Sequence, residues 1–184
     1  MYFFYWRQEK LEKKLRPFVY ADKNKCIGCR ACEVACSSVH SCKSGQTLGN
    51  VQGEVMPRLF FVRTEKEAMP VQCHHCESAP CLKSCAGGAI HIFEQKVVVD
   101  EALCSGCKSC VVACPFGVIE ILQAKNKRGF AGKCDLCYQR EEGPACVEVC
   151  SAQALRFVDP IADARQKRAF AAQSLTVLSQ GLEG

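Results

Sequence analysis

The sequence has no long apolar segment and no recognisable export signal. Its first apolar run covers only residues 2–6 and is followed by Arg7, Glu9 and Lys10. A secretory signal places basic residues first and then about 7–15 apolar residues, and a membrane-spanning helix needs roughly 18 or more. No pair of arginines precedes the apolar run either. We therefore expect a cytoplasmic protein without a transmembrane segment.

The sequence also lacks the usual signs of an active site. Asp135, Glu33 and Glu77 lie beside cysteines, but no nucleophile or paired carboxylate stands out next to them. We interpret these three carboxylates as solvated or backbone-capping side chains. The sequence thus predicts no substrate chemistry and no enzyme activity of the chain's own.

Cysteine, by contrast, is abundant. The chain has 17 cysteines among 184 residues, and such a fraction, about 9%, is common in short secreted disulfide proteins. In a reducing cytoplasm, dense cysteines are more often metal ligands than disulfide partners. The composition and the expected compartment together favour a metal-binding protein.

Sixteen of the cysteines form four groups of four. The groups are Cys26, Cys29, Cys32 and Cys36; Cys73, Cys76, Cys81 and Cys85; Cys104, Cys107, Cys110 and Cys114; and Cys134, Cys137, Cys146 and Cys150. The first and third groups share one spacing, and the other two differ only by a wider second gap, which is an internal repeat. The seventeenth cysteine, Cys42, belongs to no group. We interpret it as a free thiol in a loop, with a redox or alternative-ligand role as the other reading.

The spacing within the groups is typical of bacterial ferredoxins, which bind [4Fe–4S] clusters. Three cysteines at short intervals can surround three corners of one cluster, while the fourth ligates the neighbouring cluster. We expect each fourth cysteine at the start of a helix, and we expect Gly28 and Gly106 to let the backbone approach the cluster. A zinc ribbon gives no reason for the third and fourth cysteines. The sequence therefore predicts four [4Fe–4S] clusters rather than zinc or disulfides.

Bound clusters also change the meaning of the net charge. The formal charge of +5 could suggest a nucleic-acid partner. Sixteen thiolates and four oxidised cores of about +2 each would bring the loaded protein to about −3. We therefore expect no nucleic-acid binding.

Two histidines, His74 and His75, lie between cysteines of the second group. Histidine replaces cysteine on some iron–sulfur centres. Because cysteine already fills all sixteen ligand positions here, we expect both histidines to lie beside the cluster or at the surface rather than to ligate it.

Short strands and turns are predicted between the cysteine groups. The predicted strands are residues 59–62, 90–93, 97–99, 118–122 and 155–158. The second and third of these form a predicted hairpin, and one or two helical turns are expected before each fourth cysteine. Residues 42–57 contain glycine, serine and asparagine and are predicted to form a surface loop.

Six stretches of the sequence resemble the four-cluster iron–sulfur subunits that accompany molybdopterin enzymes of the DMSO reductase superfamily. The stretches are residues 26–33, 56–59, 72–81, 113–117, 133–137 and 142–146. The likeness covers about residues 18–160. Within the family, the chain is most similar to the small iron–sulfur subunits of formate hydrogenlyase and related formate dehydrogenase–hydrogenase complexes.

The resemblance implies a nested pairing in which the outer two cysteine groups share two clusters and the inner two groups share the others. Cluster 1 would take Cys26, Cys29, Cys32 and Cys150, and cluster 2 would take Cys36, Cys134, Cys137 and Cys146. Cluster 3 would take Cys73, Cys76, Cys81 and Cys114, and cluster 4 would take Cys85, Cys104, Cys107 and Cys110.

The resemblance also implies an α+β fold of two nested ferredoxin-like lobes, with short strands, short helices and long loops. The outer lobe would comprise residues 18–72 and 115–160, and the inner lobe residues 73–114. Independently of the resemblance, apolar residues at helical spacing predict a docking helix in residues 1–17 and a helical tail in residues 161–184. These ends would bind neighbouring subunits, including further copies of the chain or related iron–sulfur subunits. For the N-terminal helix, packing on the chain's own lobes or on a membrane surface stays open.

The function implied by the resemblance is a relay of electrons between a formate dehydrogenase catalytic subunit and a hydrogenase. Such a complex would interconvert formate or carbon dioxide with protons and hydrogen. Two alternatives stay open. The same electron-transfer subunit could serve carbon monoxide dehydrogenase or another molybdopterin oxidoreductase, or the terminal helices could make the chain a scaffold.

Overall fold

A computed structural model describes residues 15–41, 56–123 and 128–180 of the chain. Most of its elements are short, and helices separate single strands or pairs of strands. In chain order they are β1 (Phe18–Ala21), α1 (Ala31–Ser41), β2 (Leu59–Arg63), β3 (Ala68–Gln72), α2 (Pro80–Lys83), β4 (Ile90–Phe93), β5 (Lys96–Val99), α3 (Ser109–Ala113), β6 (Glu120–Leu122), β7 (Phe130–Gly132), α4 (Ala145–Glu148), β8 (Leu155–Val158) and α5 (Pro160–Gln180).

The strands pair into two-stranded antiparallel sheets. Three of these sheets are formed by consecutive strands, namely β2 with β3, β4 with β5, and β6 with β7. The fourth joins β1 to β8, with Phe18 opposite Val158 and Ala21 opposite Leu155. Because these two strands lie far apart in sequence, their pairing brings the first cysteine group close to the fourth.

Most of the predicted strands are confirmed. β2, β4, β5 and β8 lie where the sequence predicts them, and the turn residues Glu94 and Gln95 have positive φ angles of 44° and 63°, as a tight hairpin turn requires. β6 begins at Glu120, later than predicted, because pairing with β7 starts there, opposite Gly132. Val118 and Ile119, which were predicted to belong to the strand, are buried but unpaired with β7. The strands β1, β3 and β7 were not predicted.

Two hydrophobic clusters account for many of the buried residues in the described part of the chain. The inner core consists of Ala79, Cys81, Ala89, Ile90, Val97, Cys104, Cys110, Ile119 and Ala131. The outer core consists of Val19, Cys36, Leu59, Leu136, Cys146 and Leu155. The helices follow the same division, since α2 packs against α3 and α1 packs against α4.

The inner core extends further along the chain than the sequence predicts. The predicted inner lobe ends at residue 114, but Ile119 and Ala131 are buried in the inner core, and Ile121 and Phe130 pack against it. Apolar side chains of β6 and β7 thus contact the core that contains cysteines of the second and third groups. The lobe boundary at residue 114 stays a prediction.

A long helix, α5, occupies the segment for which the sequence predicts a helical tail. Its apolar side chains Phe170 and Leu175 are 71% and 65% exposed. Within the part of the chain that the structure describes, no helix combines the length and the apolar character that crossing a membrane demands. Residues 1–14 of the predicted docking helix, Cys42 and residues 42–55 of the predicted loop lie outside the described residues.

Candidate iron–sulfur centres

Each cysteine group spans a loop and the short helix that follows it. The first two cysteines lie in the loop, and the third is the second residue of the helix in all four groups: Cys32 in α1, Cys81 in α2, Cys110 in α3 and Cys146 in α4. The fourth cysteine comes about one turn later. Our expectation of a fourth cysteine at a helix start is therefore wrong, because the third cysteine occupies that position.

The four loops also share one backbone conformation. The residue two positions after the first cysteine has a positive φ angle in every group: 72° at Gly28, 46° at His75, 69° at Gly106 and 61° at Leu136. This conformation is uncommon for residues other than glycine, so its recurrence shows that the sequence repeat is also a repeat of the loop structure. Gly106 must be glycine for two reasons: its φ angle is positive, and a Cβ atom there would lie 2.6 Å from the carbonyl oxygen of Gly129.

The inner half of the molecule is the part built around the inner core. Two cavities of this half are each lined by four cysteines. Cys73, Cys76, Cys81 and Cys114 line one cavity. Cys85, Cys104, Cys107 and Cys110 line the other. Each set draws on both inner groups and equals the ligand set implied for cluster 3 or cluster 4. Four thiol donors around one cavity fit the four iron corners of a [4Fe–4S] cluster.

The outer half is the part built around the outer core, and there cysteines of the first and fourth groups are buried together. Cys36 and Cys146 belong to the outer core, and Cys32, Cys134 and Cys150 pack against it. Burial, with smaller contributions from the nearby Cys36 and Cys137, raises the pKa of Cys146 to about 12. Buried thiolates this close together need a compensating positive charge, which iron supplies when a cluster binds.

Backbone N–H groups donate to one cysteine sulfur of each implied ligand set. Such hydrogen bonds stabilise thiolate ligands and help to set the potential of a cluster. The pairs and their N···S distances are Ala154 to Cys150 at 3.2 Å, Arg58 to Cys36 at 3.2 Å, His75 to Cys73 at 3.4 Å and Ala131 to Cys104 at 3.4 Å.

Asp135 is a backbone-capping residue, one of the two roles predicted for it from the sequence, and it also belongs to a buried charged network. Its Oδ1 atom accepts a hydrogen bond from the N–H of Cys137 at 2.9 Å. Arg58 donates to Oδ2 at 2.9 Å, and Nε2 of His40 lies 3.0 Å from Oδ1. Burial, the largest single effect, lowers the pKa of His40, but the contacts with Asp135 and Cys36 together outweigh it and the pKa rises to about 9. Sequence reasoning missed His40, which lies four residues after Cys36.

The other two carboxylates differ from each other. Glu33 is 6% exposed, and its oxygens accept hydrogen bonds from the N–H of Phe61 at 2.7 Å and from Arg30 at 2.6 Å. It therefore ties α1 to β2 as a backbone-capping residue. Glu77 is exposed, as a solvated side chain would be.

The two histidines also take different positions. His74 is exposed and its ring lies 4.5 Å from that of Phe116. His75 is 1% exposed, lines the cavity of the second group and accepts a hydrogen bond on Nδ1 from the N–H of Val97 at 3.0 Å. Burial lowers the pKa of His75 to about 2, so the ring is neutral and carries its proton on Nε2. This buried Nε2 has no partner among the described residues, which fits a cluster sulfide as acceptor.

Lys133 is a buried cation that sequence reasoning did not single out. It is 2% exposed, and its ammonium group donates to the carbonyl oxygens of Val97 and Cys134. One feature of the sequence could have indicated it: Lys133 begins residues 133–137, one of the six stretches that carry the family resemblance, and directly precedes the first cysteine of the fourth group.

Comparison with known protein families supports the metal assignment directly. The 4Fe-4S dicluster domain family matches residues 64–160, and a 4Fe-4S binding domain family matches residues 17–38. The chain belongs to the 4Fe-4S dicluster domain family. Its ferredoxin-type cysteine loops, short helices and short strands are those of an iron–sulfur protein, as the sequence predicts.

The relatives include proteins of similar length and longer proteins. Electron transport protein HydN of Escherichia coli (strain K12) is 39% identical over 155 residues, which cover 77% of this chain and 87% of HydN. Formate hydrogenlyase subunit 2 of the same organism is 38% identical over 173 residues, covering 77% and 81%. AegA of the same organism is 44% identical over 149 residues, covering 79% of this chain but 22% of AegA. The chain thus spans about a fifth of the length of AegA.

Proposed function

We propose that the chain is a non-catalytic electron-transfer subunit that holds four [4Fe–4S] clusters. When bound, each cluster accepts and releases one electron. The observation that carries the proposal is the fourfold recurrence of one ligand loop, with a left-handed residue after the first cysteine and the third cysteine at the second helix position. Four equal loops fit four equal cofactors.

The division of the buried residues supports a nested arrangement of ligands. Cysteines of the second and third groups pack in or against the inner core, and cysteines of the first and fourth groups pack in or against the outer core. The β1–β8 pairing supplies a physical cause, because it holds the two ends of the cysteine-containing region together. We therefore propose the ligand sets given above for clusters 1 to 4.

Exposure of the cysteines supports a proposal for where electrons enter and leave. Of the sixteen described cysteines, only Cys29 and Cys107 are exposed. Exposed apolar residues lie nearby in sequence: Ile27 is 68% exposed and Val112 is 87% exposed. In the proposed ligand sets, Cys29 belongs to cluster 1 and Cys107 to cluster 4. These two loops are then the docking surfaces for the electron donor and acceptor.

Two hydrogen bonds support the order of the clusters between those two ends. Lys133 donates to the carbonyl oxygen of Val97, which lines the cavity of the proposed cluster 3 ligands, and to that of Cys134, a proposed ligand of cluster 2. The chain would therefore hold clusters 2 and 3 next to each other, with clusters 1 and 4 at the ends.

The relatives' names support the choice of partners. HydN is an electron transport protein, and another relative is formate hydrogenlyase subunit 2. We propose that the partners are a formate dehydrogenase catalytic subunit and a hydrogenase in the cytoplasm. The alternative partner is carbon monoxide dehydrogenase or another molybdopterin oxidoreductase.

The cofactor content is tested by iron and acid-labile sulfide analysis after anaerobic purification. We expect about sixteen irons per chain, and stoichiometric zinc in their place would exclude the proposal. The relay is tested by mixing the protein with the two enzymes and measuring hydrogen formed from formate. Cys107→Ser should abolish the transfer, whereas Cys42→Ser should not. Equal rates with both variants would contradict the relay.

A second function, assembly of a larger complex, is favoured by the exposure of α5. Phe170 and Leu175 lie on this helix and are mostly exposed. If α5 is a scaffold element, deletion of residues 161–184 should disrupt co-purification with partners and leave the clusters reducible by dithionite. Intact assembly after the deletion would remove this candidate.

A further inference from the structure

We propose that Lys133 is the buried countercharge of clusters 2 and 3 and that it raises the reduction potentials of both. The inference rests on the four-cluster function proposed above. It assigns a role to a side chain that ligates no metal and that lies where the outer and inner halves of the molecule meet.

The contacts of Lys133 connect the two halves. Its ammonium group donates to the carbonyl oxygen of Val97, and Val97 lines the same cavity as the four cysteines proposed for cluster 3. It also donates to the carbonyl oxygen of Cys134 at 2.7 Å, and Cys134 is a proposed ligand of cluster 2. One side chain is thus bound to the walls of two neighbouring cluster sites.

The charge of Lys133 has no carboxylate partner among the described residues. The next carboxylate along the chain, Asp135, is engaged by Arg58 and His40. Burying an ammonium group without an opposite charge is costly, and buried charges in proteins are paired or lie next to metal centres. Clusters carried by four thiolates each are net anions, and they are the groups that would pair with Lys133.

Val97 links Lys133 to the wall of the inner site through a second contact. Its carbonyl oxygen accepts from Lys133, and its N–H donates to Nδ1 of His75, which lines the same cavity as the proposed ligands of cluster 3. With clusters 2 and 3 bound, the ammonium group would therefore have an anionic cluster on each side.

The expected consequence follows from charge alone. Reduction adds one electron to a cluster, supplied by the redox partner upstream, and makes the centre more negative by one unit. A fixed positive charge nearby, in a site with little water, stabilises the reduced form more than the oxidised form. Lys133 therefore makes clusters 2 and 3 easier to reduce, and it does so for both because it lies between them.

A purely structural role for Lys133 would give a different result. The two carbonyl contacts could hold the halves of the molecule together without affecting the potentials. Lys133→Gln separates the two roles, because glutamine retains N–H donors but removes the charge. Lys133→Met removes both, and Lys167→Gln, at an exposed position of α5, removes the same charge in solvent.

The experiment is an anaerobic redox titration of the full chain with dithionite, followed by electron paramagnetic resonance. In Lys133→Gln we expect two of the four reduction steps to move to lower potential. The reduced-to-oxidised ratio of these clusters at a fixed solution potential should fall at least tenfold, which corresponds to a shift of about 59 mV in the potential of a one-electron step. The other two steps, and all four steps in Lys167→Gln, should stay in place.

Each outcome decides the inference. Unchanged potentials in Lys133→Gln or Lys133→Met, with iron content intact, would overturn it while leaving the four-cluster function standing. An iron content far below sixteen in the unmodified protein would instead overturn the proposed function. If both neutral variants lose iron, Lys133→Arg decides: retention of iron supports a need for charge, and loss of iron shows that packing alone is at stake and overturns the inference.

Discussion

Arg58 and Asp135 form a buried ion pair across 77 residues of chain, with Nη1 of Arg58 2.9 Å from Oδ2 of Asp135. Their side chains are 13% and 15% exposed. The backbone N–H of the same arginine donates to Sγ of Cys36, and the same aspartate accepts from the N–H of Cys137. One ion pair thus positions two of the cysteines proposed as ligands of cluster 2.

Arg58→Met should destabilise the protein through this contact. Removing one partner of a buried ion pair leaves the other charge uncompensated and costs about 3–5 kcal/mol. We expect a loss at the lower end, about 3 kcal/mol, because His40 still contacts Asp135. The measurement is urea unfolding of the loaded protein under anaerobic conditions. Arg168→Met, at an exposed position of α5, should change stability by less than about 0.5 kcal/mol. Equal unfolding curves for the two variants would refute this role of the ion pair.

Gly106→Ala should impair one ligand loop for a steric reason. A Cβ atom there would lie 2.6 Å from the carbonyl oxygen of Gly129, in addition to the strain of a φ angle of 69°. Gly117→Ala is the matched control, because Gly117 has a φ angle of 63° and no atom within 4 Å of the added Cβ. We expect the alanine at 117 to cost about 1–2 kcal/mol from strain and the alanine at 106 to cost about 1–3 kcal/mol more from overpacking. Comparable stabilities and iron contents would show that the clash is relieved elsewhere.

Glu33→Ala should weaken the connection between α1 and β2. The substitution leaves the N–H of Phe61 buried without its acceptor, at a cost of about 1–3 kcal/mol. Glu65→Ala, at an exposed position beyond β2, removes the same charge and should be within about 0.5 kcal/mol of the unmodified protein. Thermal unfolding of both variants distinguishes a capping role from a solvated one, since a solvated Glu33 would behave like Glu65.

The cysteine pattern predicted the cofactor chemistry because cluster binding depends on local spacing. The first three cysteines of each group lie in one loop and at the start of the helix that follows it, so their geometry is determined by residues close in sequence. Gly28 and Gly106 indicate the left-handed backbone. The same loop at His75 and Leu136 could not be predicted, since these residue types usually avoid a positive φ angle. There the fold imposes the conformation.

Long-range features were less accessible from sequence. Lys133 looks like an ordinary surface lysine until β5 supplies a carbonyl oxygen for it. The strands β1, β3 and β7 are short, and β3 contains Pro70, so their patterns were too weak to read. The inner core passes residue 114 because Ile119 and Ala131 pack against cysteines that precede them in sequence. Burial of this kind is decided by tertiary contacts rather than by local composition.

The proposed nested ligand sets predict a different loss of iron from double cysteine substitutions than an arrangement in which each group of four cysteines holds its own cluster. If Cys114 completes cluster 3, it shares that cluster with Cys76 and not with Cys107. Replacing Cys114 and Cys76 together by alanine should then remove a single cluster, about four irons of sixteen. Replacing Cys114 and Cys107 together should remove two clusters, about eight irons.

The alternative, in which each group of four cysteines holds its own cluster, predicts the reverse. Cys114 and Cys107 belong to one group, so their joint loss would then remove one cluster, whereas Cys114 and Cys76 would remove two. Iron analysis and the number of paramagnetic centres after reduction measure the difference, with Cys42→Ala as the control that should lose none. The cavity shared by Cys73, Cys76, Cys81 and Cys114 favours the nested result, because a cluster needs its four donors around one space.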